Sequence, residues 1–298
     1  MENLIEKQTQ NFISKNRYLL CILGAYFIWG SLPLYFHFTN FIRSIDLMMY
    51  RIFFSFIIIS LFVFAYQKPS SILKEILSNK DYRYCPLSGL MIGLNWSIYL
   101  VALKKGLVIE TSLGYFVAPI LTIFFGIFLY LEKLNKVQLF SLMLTCAGVI
   151  ALVLFKGSFP QYAFYVAITF CAYVLLRKKM KVNAFIAMWL EMLTLFPIAV
   201  SVLIYQINHH GGLGFELTFK HVIILLTSGL VSFLPILLLT LGLKNIKVSL
   251  IGSLQYISPT CQFILGIFMF DNEFSLNDFF AYCIIWFSII LFITTSKA

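Results

Sequence analysis

The chain has 298 residues, of which 61% are hydrophobic and 11% charged, with 22 basic against 12 acidic side chains and a formal net charge of +10. Soluble domains are about 45–50% apolar and about 25% charged, so charges this sparse cannot cover a water-exposed surface. Composition therefore excludes a soluble globular protein and points to a chain that crosses a bilayer many times.

In chain order, the N-terminal stretch MENLIEKQTQNFISKNR is polar, and no small-residue cleavage site follows a short apolar core. The first apolar run therefore reads as a true span behind a tail of residues 1–17. A helix needs about 20 mostly apolar residues to cross the hydrocarbon. Ten runs meet that need: Tyr18–Phe38, Asp46–Tyr66, Tyr84–Leu103, Thr111–Leu131, Val137–Phe155, Gln161–Leu176, Phe185–Tyr205, His221–Leu241, Ser249–Phe270 and Leu276–Ile293. The connections between them are short and leave no room for a soluble domain. The expected fold is an all-α integral membrane protein.

Basic residues set the orientation. With the N-terminus in the cytoplasm, sixteen Lys and Arg fall on that side, Arg177 to Lys179 among them, and five on the other, while Arg51 lies inside a span. Both termini are expected in the cytoplasm. The net charge then reads as basic loops facing anionic lipid and not as a nucleic-acid surface.

A shift of 140 residues aligns the chain with itself. Ser88-Gly89-Leu90 matches Ser228-Gly229-Leu230, Leu94 matches Leu234, Leu103-Lys104 matches Leu243-Lys244, Pro119 matches Pro259, and Gly126-Ile127-Phe128 matches Gly266-Ile267-Phe268. The matches are collinear and ungapped. The shift carries the third span onto the eighth and the fourth onto the ninth, so each copy holds five spans. Five is odd, and the second copy enters the membrane from the opposite side, an architecture used by secondary transporters with a midplane substrate site. The expected units are repeats 18–156 and 157–295, followed by a short tail, 296–298.

Several residues break the apolar pattern. Gly114 and Pro119 interrupt the fourth run and Pro259 the ninth, as matched hinge or gate elements; a proline there frees the carbonyl four residues earlier, which only protein or cavity water can satisfy. Arg51 and Glu191 occupy equivalent repeat positions with opposite charge. A charge at bilayer depth costs about 2.5–3.5 kcal/mol on insertion scales, so both are candidates for ligand contact or proton coupling, against a structural role. Asn95, Trp96 and Tyr99 form a polar-aromatic stripe on the third span, and Gln255 and Tyr256 do so on the ninth, where Gln255 corresponds to Tyr115. Tyr26, Trp29, Pro33 and Phe36 share one face of the first span, with Tyr173 in the matching place on the sixth. Such residues either pack helices or line a substrate cavity.

The six cysteines are scattered through apolar runs without C-x-x-C spacing and read as small buried residues. His209 and His210, on a Gly-rich loop, read as solvated and not as metal ligands. No dinucleotide fingerprint, Walker sequence, G-x-S-x-G or H-E-x-x-H occurs, so neither a cofactor nor a metal is expected, and ATP is not the energy source within this chain.

The stretches AYFIWGSLPLYF at 25–36, GLNWSIYLVAL at 93–103, ETSLGYFVAPILTIFFGIFLYLEKL at 110–134, YVLLRKK at 173–179 and LQYISPT at 254–260 resemble RarD-type members of the EamA group in the drug/metabolite transporter superfamily. The resemblance implies a bacterial inner-membrane permease of ten spans, with a central cavity lined mainly by spans one, three, four, six, eight and nine. It implies substrates among amino acids, nucleotides, other metabolites or drugs, often moved outward. Lys104-Lys105 departs from the common pattern at the exit of the third span.

The expected function is a secondary transporter that moves a small organic metabolite or drug by alternating access, as a monomer or weak homo-oligomer in the bilayer. A facilitative exchanger or importer of an amino-acid- or nucleotide-like metabolite is the alternative. A receptor or a lipid-modifying enzyme stands further off, since Glu191 is the one acid well inside a span.

Overall fold

In a bilayer no water satisfies the backbone, so apolar runs close their hydrogen bonds internally as helices. A computed structural model of the chain describes residues 2–39, 41–104, 108–156, 161–209, 218–243, 246–269 and 276–295, without the side chains of 2–15, 100, 103–104, 108–113, 155–156, 266–269 and 277–278. The described residues form twelve α-helices and one 3-10 turn, and no strand. The helices are α1 (Glu2–His37), α2 (Ser44–Tyr66), α3 (Pro69–Ser78), α4 (Cys85–Lys104), α5 (Val108–Tyr130), α6 (Lys136–Lys156), α7 (Gln161–Lys179), α8 (Ala184–His209), α9 (Phe219–Gly242), α10 (Val248–Gln255), α11 (Ile257–Met269) and α12 (Leu276–Thr295), with the 3-10 turn at Lys80–Tyr84. A helix overlaps each of the ten expected runs. Five described stretches are long and apolar enough to cross a membrane: Asn16–His37, Ser44–Tyr66, Lys136–Leu154, Ala184–His209 and Phe219–Gly242. Gly114–Tyr130 and Phe279–Thr295 are shorter apolar helices.

Three local features differ from expectation. The connection after α2 is not a bare loop: α3 and the 3-10 turn occupy it. The expected tail, residues 1–17, is helical from Glu2 and runs on into the first apolar stretch, Asn16–His37. The two proline interruptions are also unlike each other. α5 continues as helix through Pro119, whereas the ninth run divides at Tyr256 into α10 and α11. Pro259 is the third residue of α11, where a backbone N–H has no intrahelical acceptor in any case, so proline costs little there.

The helix packing is dominated by contacts between the two halves of the chain. The extensive pairs are α1 with α9 and α11, α2 with α8 and α9, α4 with α7 and α8, α5 with α7 and α10, and α6 with α12. Number the five long segments of each half in order, counting α10 and α11 as one. Exchanging the halves then turns this set of pairs into itself.

Close approach is made at glycines. A Cβ on Gly89 of α4 would sit 2.9 Å from the Glu191 carbonyl oxygen of α8, and one on Gly229 of α9 would sit 2.6 Å from the backbone of Phe54 in α2. These two glycines are 140 residues apart, and each lets its helix lie directly on the backbone of the other half. Small residues at crossings are how helices associate in lipid, where the hydrophobic effect does not drive them together.

The turns define two ends. At the proximal end, the Asn79 amide donates to the Lys181 carbonyl at 3.0 Å, and the Glu132 carboxylate accepts from the Val248 and Ser249 amides at 2.6 and 2.8 Å. A carboxylate there complements the positive end of the short helix α10. At the distal end, the Phe41 and His221 rings stack 3.9 Å apart, tying the turn after α1 to the start of α9.

A candidate transport cavity and a buried ion pair

Aromatic and amide side chains from α1, α2, α4, α5, α7, α10 and α11 converge in the distal half of the bundle. They surround a space of about 750 Å³, part of it open to the outside. Of the residues singled out in the sequence, Tyr26, Trp29, Arg51, Asn95, Trp96, Tyr99, Tyr115, Gln255 and Pro259 stand in its wall. Pro33 and Phe36, also singled out there, stand beside them, and Leu32, Ala118, Phe170, Ser258 and Gln262 complete it. Tyr173 and Tyr256, expected to line the same space, are buried behind it. Tyr256 packs on Phe116 with ring centroids 6.1 Å apart, and Tyr173 faces the Arg177 side of the bundle. Gly114 lies against Ala163 and Val166 of α7, and Pro119 presents its carbonyl to Gly252 of α10. Both are therefore packing contacts beside the cavity and not parts of its wall.

The wall is held by hydrogen bonds between helices. Asn95 Nδ2 of α4 donates to the Val166 carbonyl at 2.8 Å and to Thr169 Oγ1 at 3.1 Å on α7. Gln255 and Thr122 join α10 to α5, with Gln255 Nε2 3.1 Å from Thr122 Oγ1. The Tyr26 hydroxyl lies beside Gln255 without a well-formed hydrogen bond. Pro33 carries no N–H, so the Trp29 carbonyl loses its helical donor; Gln262 Nε2 of α11 takes that place at 3.3 Å. A freed carbonyl of the kind expected at Pro119 and Pro259 thus stands also at Pro33, where its partner crosses the interface between halves.

Arg51 is the eighth residue of α2, roughly 10 Å along it. Its Nε donates to Ser232 Oγ of α9 at 2.8 Å. Its guanidinium lies 5.2 Å from the Phe36 ring centroid and 5.3 Å from that of Trp96, within cation–π range.

Glu191 does not reach the cavity. It is fully buried in the proximal half, with its Oε1 3.3 Å from Nε of Arg177, itself 4% exposed. Ser88 of α4 donates to the same carboxylate oxygen, and Arg177 Nη2 donates to Thr240 of α9. Four helices of both halves thus meet on one ion pair. Arg177, one of the basic residues assigned to the cytoplasmic loops, is not an exposed loop charge but a buried counter-ion. Its signal was periodic: Phe170, Tyr173, Val174 and Arg177 continue the buried face of α7 at spacings of three and four.

All six cysteines are free thiols. His209 stacks on Tyr205, ring centroids 4.0 Å apart. Lys105 and His210, and the Lys104 side chain, lie outside the described residues.

Comparison with known proteins places this arrangement. The sequence pattern of the EamA-like transporter family matches residues 16–154. The chain is 30% identical over 271 residues to the uncharacterized transporter YojE of Bacillus subtilis, covering 90% of both chains. It is 27% identical over 280 residues to Protein RarD of Escherichia coli, covering 92% of this chain and 93% of that one. A solved crystal structure matches the fold with a TM-score of 0.72 at 18% identity, over 95% of this chain and 99% of its own.

Proposed function

The chain belongs to the EamA-like transporter family as a RarD-type, multi-pass membrane transporter, and from that premise we propose that it moves a small organic molecule by alternating access between two inverted five-helix repeats. In this reading ten helical segments cross the inner membrane, both termini are cytoplasmic, and the distal end faces out. The repeats are 18–156 and 157–295.

The observation that carries the reading is the exchange symmetry of the packing together with a cavity in the distal half, matched in the proximal half by a buried ion pair among the described residues. A pairing scheme that maps onto itself when the halves are swapped admits a second arrangement, in which the distal half closes and the proximal half opens. Arg51 and Glu191 mark the two ends of that exchange. Arg51 lines the cavity and bonds to α9 of the other half; its counterpart Glu191 is sealed by Arg177 and bonds to α4 of the other half. The Arg177–Glu191 pair then acts as the latch of the closed side, and direction follows from the gradient imposed.

The test is counterflow. Purified protein in sealed vesicles, preloaded with one organic solute at a time, is expected to drive uptake of its labelled form, and empty vesicles are not. No flux across a broad metabolite panel would sink transport in favour of a receptor.

A further inference from the structure

Arg51 poses a problem that the transport reading alone does not solve. Among the sixteen residues that line the cavity it is the one with a formal charge, and there is no carboxylate among them. Its single hydrogen bond to a described residue runs from Nε to Ser232, so among the described residues neither Nη group has an acceptor. The phenols of Tyr35, Tyr99 and Tyr115 are its other polar neighbours. Glu191, at the equivalent repeat position, shows what this fold does with an intramembrane charge that serves packing: it is enclosed and paired. An unpaired guanidinium in a largely apolar wall is costly unless something brings it an anion.

We propose, resting on the transport reading, that the cavity takes an organic monocarboxylate with a flat apolar body, gripped by Arg51. A guanidinium presents a planar pair of donors that fits a carboxylate bidentately. The Arg51 guanidinium carbon lies 5.2 and 5.3 Å from the Phe36 and Trp96 ring centroids, within cation–π range, and neither ring offers the Nη groups an oxygen acceptor. Charge count sets the class. One fixed positive charge neutralises one negative charge, whereas a phosphate monoester near two charges would bring excess anion into an aromatic pocket. An amine meets no acid among the described residues of the wall. Tyr26, Trp29, Tyr99, Tyr115 and Phe170 supply faces for a ring or a short apolar chain.

The experiment measures equilibrium binding to the full chain in lipid nanodiscs with five probes of similar size: 3-phenylpropionate, its amide, 3-phenylpropylamine, phenylalanine and phenyl phosphate. The carboxylate is expected to bind about 10-fold or more tightly than each of the others, as one charge-assisted contact warrants. Arg51→Gln is expected to erase the preference while melting as a folded protein, and Arg51→Lys to retain part of it. Equal or tighter binding of any other probe overturns the proposal. So does unchanged carboxylate binding by Arg51→Gln, or no binding of 3-phenylpropionate by the unaltered chain. If Arg51→Gln does not fold, Arg51→Lys decides, since a bidentate grip predicts weaker but still acid-selective binding. Carboxylate binding without counterflow leaves this inference standing and removes the transport reading; counterflow of the amide or amine alone does the reverse.

Discussion

Gln262 donates its side-chain amide to the carbonyl of Trp29, 3.3 Å away on the opposite half of the chain, at the position that Pro33 strips of its helical donor. Replacing Gln262 by Met is expected to leave that carbonyl unsatisfied and to cost about 1 kcal/mol in thermal stability. Pro33→Ala restores the missing N–H, so Gln262→Met should cost clearly less in that background. Equal losses in both backgrounds would mean that the amide supports the fold in some other way.

The Arg177–Glu191 pair gives a second cycle. Arg177→Gln strands a buried carboxylate and Glu191→Gln a buried guanidinium, and each single change is expected to lose about 3–5 kcal/mol. The double replacement should recover much of that loss, because no uncompensated charge remains. Melting of the three variants in one lipid environment measures it. Additive losses would show the two residues acting independently.

Glycine substitutions separate backbone contact from loose packing. Alanine at Gly229 places its Cβ 2.6 Å from the Phe54 backbone, whereas at Gly24 the nearest atom is a Leu238 methyl at 3.4 Å. Gly229→Ala should cost about 1–3 kcal/mol through overpacking, and Gly24→Ala should be close to neutral. The order of the two melting temperatures is the check.

Sidedness is open to chemical probing. In a chain freed of its native cysteines, a cysteine at Ser258 in the cavity wall should react with a water-soluble thiol reagent added outside. One at Ser88, beside the Glu191 carboxylate, should be protected. Reversed reactivity would place the open cavity on the cytoplasmic side.

The Tyr82 phenol, at the proximal turn, donates to Glu75 at 2.6 Å and accepts from the Asn183 amide at 3.2 Å. Burial, and then the hydrogen bond to Glu75, push its pKa above the ordinary value of 10.0. The folded state therefore holds this proton more tightly than the unfolded chain does. Its contribution is complete below pH 10 and is lost as pH rises above that. Tyr82→Phe should make alkaline melting less steep than in the unaltered protein.

The helix order was legible because membrane spans must be long and apolar, and the ten runs in the sequence each meet a helix. The residues of the cavity wall were legible where an amide or aromatic stands out against Leu and Phe, as at Asn95, Trp96 and Tyr115. Arg177 was not, because it opens a run of three basic residues that resembles a solvated helix end; only the three-four spacing of its buried face separates it from Lys178 and Lys179. The division at Tyr256 was equally hidden. Pro119 and Pro259 occupy the same repeat position, yet what decides whether a helix stops is the neighbourhood. The Glu132 carboxylate at the start of α10 was hidden in the same way, because no sequence distance reports that contact.

The pairing of α1, α2, α4, α5 and α6 almost wholly with helices of the second half bears on how the chain is made. While only the first half has been synthesised, its helices have few of their eventual neighbours, and close-packing glycines such as Gly89 face lipid. Assembly therefore advances only as helices of the second half enter the bilayer, and a chain truncated near its middle would lack most of the partners of its helices.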